Sequence, residues 1–167
     1  MPDNLSQEQQ DALKCLAEAV NQEMCQLKRN RAGCEEEKGM KAASPEAESN
    51  DSEYTTPSAH AKKHEESSSS SQNALDHLLW STLETFQNYS FFTAKNLEFS
   101  YILKGYEMFV SRKDKSITKS TVLLSFHKAI AVQLRDGRVA GPKKLGTFGA
   151  SYLYPIFLFL GIITDKC

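Results

Sequence analysis

The chain has little of what builds a reactive site. It contains four cysteines, Cys15, Cys25, Cys34 and Cys167, and no C-x-x-C pair. No apolar signal segment opens it, since it begins MPDNLSQEQQ. The even cysteine count therefore reads as reduced thiols in a cytoplasmic protein, not as a disulfide framework. There is no G-x-S-x-G, no G-x-x-x-x-G-K-[ST] and no G-x-G-x-x-G. The sequence thus offers no hydrolase elbow, NTPase loop or dinucleotide turn. Only seven acidic residues lie in 74–167, scattered without an obvious pair, so two-carboxylate acid–base chemistry has no candidate. His60 and His64, four apart, make half of a metal site without the remaining ligands. His77 reads as a surface histidine. His127 has no cysteine or aspartate placed near it by sequence, and reads as a helix-face residue and not as a base. The expectation is a protein with no catalytic centre, metal or cofactor.

A second scarcity divides the chain. Residues 33–73 contain no leucine, isoleucine, valine, phenylalanine or tryptophan, but do contain EEEKG, SPEAESNDSE and the run Ser67–Ser71. Such a stretch cannot bury enough apolar surface to offset its ordering entropy, so a disordered linker is expected. Ser44-Pro45 and Thr56-Pro57 within it are candidate phosphoacceptors. On this division, 1–32 is an N-terminal amphipathic helix and 74–167 is the folded domain.

Charge follows the same division. The net charge is −1, yet residues 1–73 carry 14 acidic and 8 basic side chains, whereas 74–167 carry 7 acidic and 12 basic. Within 111–144 nine basic residues face two acidic ones. A basic domain behind an acidic leader points to an anionic partner, or to contact between the halves.

In the leader, Ser6 and Gln9 fit a capping box at the start of a helix over 5–30. Leu13, Leu16, Val20, Met24 and Leu27 form one seam of about two heptads. It suits a partner helix, in this chain or in a second copy, and a long linker would let it range far from the domain.

In the domain, Leu75, Leu78, Leu79, Leu83 and Phe86 share a helical face beginning near Asn73 as N-cap, with Trp80 towards its edge. Leu97, Phe99, Tyr101 and Leu103 alternate with Glu98, Ser100, Ile102 and Lys104, and Tyr106, Met108 and Val110 alternate with Glu107, Phe109 and Ser111, around a turn at Lys104-Gly105, so both faces carry some apolar residues. That predicts a β-hairpin. Ser116 or Thr118 then caps a helix over Lys119–Leu134, with Val122, Leu123, Phe126, Ile130 and Leu134 inward and Asp136-Gly137 as its stop. Gly141-Pro142 opens a helical turn over 142–146. Ser151 caps a last helix over 152–160, with Pro155 in its first turn. Ile162-Ile163 adds a short strand beside the hairpin. The fold expected is a small α+β domain, helix–β-hairpin–helix–helix, winged-helix-like in parts but not in element order.

Residues 145–164 carry no charge and lie between Lys144 and Asp165, which raises a membrane tail anchor as an alternative. The strongly apolar part spans only about half of that length, which fits a buried helix better.

Two short stretches resemble parts of helix-turn-helix proteins. ITKSTV at 117–122 is similar to the start of a recognition helix, where short polar residues approach phosphates and base edges. KKLGTFGASYL at 143–153 resembles a short helix, a glycine turn and a helix restart, with one residue too many in the turn and an apolar second helix. The first is the better candidate. The resemblance implies duplex DNA as partner, with Arg112, Lys113, Lys115, Lys119, Ser120, Thr121, Lys143 and Lys144 as the nucleic-acid-binding residues. The leading expectation is a non-enzymatic DNA-associated regulatory or accessory protein. Its alternative is an interaction adaptor working through the Leu13–Leu27 seam.

Overall fold

A computed structural model describes residues 5–32 and 68–164. Two helices come first, α1 (Gln7–Ala32) and α2 (Ser68–Thr85). Five short strands follow: β1 (Phe91–Phe92), β2 (Glu98–Phe99), β3 (Tyr101–Lys104), β4 (Glu107–Val110) and β5 (Ile117–Thr118). Then come α3 (Lys119–Asp136), a 3₁₀ turn (Pro142–Lys144) and α4 (Ala150–Phe159). The fold is α+β, with a two-stranded sheet β1-β2 and a three-stranded sheet β3-β4-β5, both antiparallel.

The expected capping box closes α1. Gln9 N–H donates to Ser6 Oγ at 3.3 Å, and Ser6 N–H donates back to Gln9 Oε1 at 3.1 Å. The seam behind it is used within the chain. Leu16 and Val20 are buried, Leu13, Met24 and Leu27 are partly buried against the same core, and α1 packs on α2. Gln9 Nε2 also donates to Thr85 O at 3.1 Å. Helix α1 is thus docked, not ranging free as a long linker would permit. Burying two aliphatic side chains contributes roughly 1.5–3 kcal/mol each.

Helix α2 begins five residues before the expected cap at Asn73, so 68–73 are helical. Once Leu75, Leu79 and Leu83 anchor the helix, propagating it backwards costs each serine only about 0.5 kcal/mol relative to alanine. Residues 33–67, with His60, His64, Ser44-Pro45 and Thr56-Pro57, lie outside the described residues, as do Cys34 and Cys167.

The predicted hairpin forms, but its turn is Gly105-Tyr106 and not Lys104-Gly105, so Tyr106 leaves the strand and the register pairs Tyr101 with Val110 and Lys104 with Glu107. Tyr101, Met108 and Val110 are buried on its inner face. Its first strand is shorter than the alternation suggests, because the chain changes partner at Ser100. Ser111 Oγ accepts Ser100 N–H at 3.1 Å, and Phe99 pairs instead with Phe91. Leu97, expected inward, is consequently exposed on the additional β1-β2 hairpin. The outer edge of β3 is closed by the turn after α2. Asn88 N–H donates to Tyr101 O at 2.9 Å, and Gln87 Oε1 accepts Leu103 N–H at 2.8 Å. The Tyr101 hydroxyl donates to Leu83 O at 2.8 Å, and burial pushes its ionisation above the usual phenol range. It therefore stays a neutral donor tying the hairpin to α2.

The C-terminal segment folds back into the core. Helix α4 is ten residues long and buries Leu153, Tyr154, Ile156 and Phe157. Gly161 N–H donates to Leu158 O and Ile162 N–H to Phe157 O, a Schellman end. No described helix is long and apolar enough to cross a membrane. The tail anchor over 145–164 is therefore corrected to a turn, a short core helix and a buried end. Ser151 is not the cap of α4. The helix starts two residues earlier from Gly149, which places Pro155 mid-helix. Ile162 and Ile163 are buried without forming a strand. The end is held instead by Val139 N–H to Thr164 O at 3.0 Å and by the Gln133 amide, which donates to Thr164 Oγ1 at 2.8 Å and accepts Thr164 N–H at 3.2 Å.

One aromatic cluster joins these pieces. Phe159 of α4 meets Phe86, Tyr89 and Phe91 at centroid distances of 5.3, 4.9 and 5.3 Å. Phe91 stacks in turn on Phe99 and Tyr101, both at 5.7 Å. Such pairs contribute about 0.5–1.5 kcal/mol each beyond their burial.

Candidate nucleic-acid interface

The start of α3 positions the candidate residues. Strand β5 pairs Ile117 with Met108 and Thr118 with Glu107, so the chain enters the helix directly from the sheet. Thr118 is the N-cap. Its hydroxyl accepts Thr121 N–H at 3.3 Å and shares a 2.9 Å hydrogen bond with the Thr121 hydroxyl. Lys119 N–H donates to Tyr106 O at 2.7 Å. The first turn of α3 carries no acidic residue. Its positive dipole end therefore meets Lys119 instead of the carboxylate that would stabilise it.

The eight predicted residues take different roles. Arg112, Lys115, Ser120, Lys143 and Lys144 are exposed, whereas Lys113, Lys119 and Thr121 are half-buried. Lys113 Nζ lies 3.6 Å from the Phe148 ring centroid and 5.9 Å from that of Tyr152. Lys119 Nζ lies 5.0 Å from Trp80 and 5.5 Å from Tyr106. These two ammonium groups are held on aromatic faces at the α3 entrance, which limits their motion. Thr121 has its side chain committed to the cap. Lys143 and Lys144 form the 3₁₀ turn beyond the far end of α3, where the Lys144 charge, after Arg135, helps hold the Asp136 carboxyl below its usual range. The two basic groups therefore sit towards opposite ends of α3, not in one cluster.

Between them runs the exposed stripe of α3: Ser120, Leu124, Lys128, Ala131 and Arg135. On one side α2 reaches the helix through Asp76, whose Oδ1 lies 2.7 Å from His127 Nε2. This contact is an ion pair when the imidazole is protonated. Asp76 Oδ1 is buried, and His127 Nε2 is the polar atom that faces it. On the other side, the loop 145–149 follows the helix. Thr147 is hydrogen-bonded to Ser125, and a side chain added at Gly146 would stand 3.1 Å from Lys128 Nζ.

Sequence reasoning missed several of these features. Lys128 and Arg135 are not among the eight expected residues, although periodicity alone marks both as members of the stripe. Phe148, between Gly146 and Gly149, carries the signal of an aromatic residue in a turn, where no core needs it, whereas Tyr106 reads as a strand residue and only the observed register places it in the turn. Asp76 beside His127 has no signal in sequence, since the two lie on different helices. Among the described residues no group of three metal-ligating side chains exists. The second helix-turn-helix resemblance does not produce a groove-reading helix, because α4 is a core element. A separate groove of about 250 Å³ lies between α1 and α2, lined by Ala19, Gln22, Glu23, Gln26, Ala74, Leu75 and Leu78, and none of the basic candidates borders it. Compared with known protein families, characterised proteins and solved structures, the chain matches none.

Proposed function

We propose that this chain is a non-enzymatic DNA-associated regulatory or accessory protein, binding through the basic surface built on α3. The observation that carries the reading is the α3 entrance. Its helix dipole is uncompensated by any acidic residue in the first turn. Lys113 and Lys119 are seated beside it on aromatic rings, and Arg112 and Lys115 are exposed just before it. Each of these features lowers the energy of a phosphate at that end. The stripe from Ser120 to Arg135 then continues the exposed surface along α3. It carries two cations and short side chains that admit close approach.

The test is binding of the full chain to a fluorescently labelled duplex, followed by anisotropy across a salt series. Six to ten phosphate contacts predict a loss of about 10³–10⁵ in affinity between 50 and 200 mM salt. Arg112→Gln with Lys115→Gln removes two exposed charges without touching the core and should flatten the slope by about 0.9 per lost contact. Absence of binding at the lowest salt, or an unchanged slope in the charge variant, would falsify the reading.

A further inference from the structure

The α3 entrance carries two rings that the fold leaves in solvent, Tyr106 at 75% and Phe148 at 47% exposure. Neither is where a core would put it. Tyr106 sits in the two-residue turn between β3 and β4. Phe148 sits in the loop before α4, between Thr147, bonded to Ser125, and Gly149, packed on Ile117. The two rings thus stand near the same end of α3. Each has one lysine ammonium over it, Lys119 at Tyr106 and Lys113 at Phe148. Water-facing rings beside cations are the two components of a stacking platform for nucleic acid: the ring takes a base face, and the ammonium takes the flanking phosphate.

In closed duplex both faces of a base are already covered by its neighbours in the stack. Only an unpaired or unstacked base offers a free face to a protein ring. We infer that Tyr106 and Phe148, each backed by its lysine at the α3 entrance, stack unpaired bases, so that single-stranded DNA is the preferred ligand of this surface. The inference rests on the DNA-binding reading and specifies the strand state it takes. Phe92 supplies an internal contrast. It is 52% exposed on the β1-β2 hairpin, and no lysine among the described residues lies over its ring.

The experiment compares the full chain on a labelled single strand of about 20 nucleotides, longer than one platform's site size, and on the same sequence as duplex, at equal salt. Tyr106→Leu and Phe148→Leu keep apolar volume at exposed positions and remove the ring face. Phe92→Leu is the control. The expected result is tighter binding to the single strand, a loss of at least about fivefold there for each ring variant, duplex binding within about twofold, and no change for the control. Equal affinity for both forms, ring variants without effect, or ring variants that weaken both forms alike would overturn the inference while leaving DNA binding standing. Failure to bind either form would remove the underlying reading as well.

Discussion

Helices α3 and α4 both begin in stretches that resemble parts of a helix-turn-helix, and they finish with opposite roles. Helix α3 is amphipathic. Val122, Phe126, Ala129 and Ile130 are buried, and Ser120, Leu124, Lys128, Ala131 and Arg135 are exposed. It is entered through a threonine cap and left through Gly137. Helix α4 has no side-chain cap at its start, no charged residue along it and a near-continuous apolar sequence. What separates them is the number of faces that can be buried. A helix with one apolar stripe keeps a surface for a ligand. A helix that is apolar nearly all round is consumed by the core. A local motif at the N-terminus says little about function until that is known.

The two helices meet through Phe126 and Phe157, both fully buried, with ring centroids 6.1 Å apart. Replacing either with alanine is expected to cost about 3–5 kcal/mol, and the double variant less than the sum because the cavities merge. Denaturant titration would measure this. Additive losses would mean that the helices do not share one core. The next largest effect contrasts their glycines. Gly137 ends α3 at φ 72° with nothing within 4 Å of an added Cβ, whereas Gly149 opens α4 at φ 77° with an added Cβ falling within the Ile117 side chain, 2.9 Å from Cγ1. Gly137→Ala should cost about 1–2 kcal/mol for the left-handed backbone alone. Gly149→Ala should add a further 1–3 kcal/mol, roughly, for overpacking. Equal melting temperatures of the two variants would show that Ile117 moves aside freely. The smallest effect concerns the caps. Thr118→Ala should lower stability by about 1 kcal/mol, and Ser151→Ala, at an exposed position without a cap bond, should stay within about 0.5 kcal/mol. A loss at Ser151 matching that at Thr118 would restore it as the cap.

Much of the architecture is legible along the chain. The Ser6–Gln9 box, the existence of a hairpin around Gly105, the Thr118 cap and the Gly137 stop each arise from interactions within a few residues, so their residue types announce them, although the hairpin register does not follow from the turn residues alone. The β1-β2 hairpin is not legible. Two-residue strands carry no period that could announce the pairing of Phe91 with Phe99 and Phe92 with Glu98. The site divides in the same way. The basic residues can be counted from sequence, but the rings that hold Lys113 and Lys119 come from distant segments.

By itself, the sequence determined the α+β class, the placement of the basic excess and the face that α3 turns inward, because periodicity and local hydrogen bonding are short-range. Only the tertiary structure decided that the α1 seam docks on α2, that 145–164 is a buried return and not a span, and that the charges at the α3 entrance are seated on aromatic rings. Those outcomes depend on which apolar surfaces find one another, and that is set by competition among all of them at once.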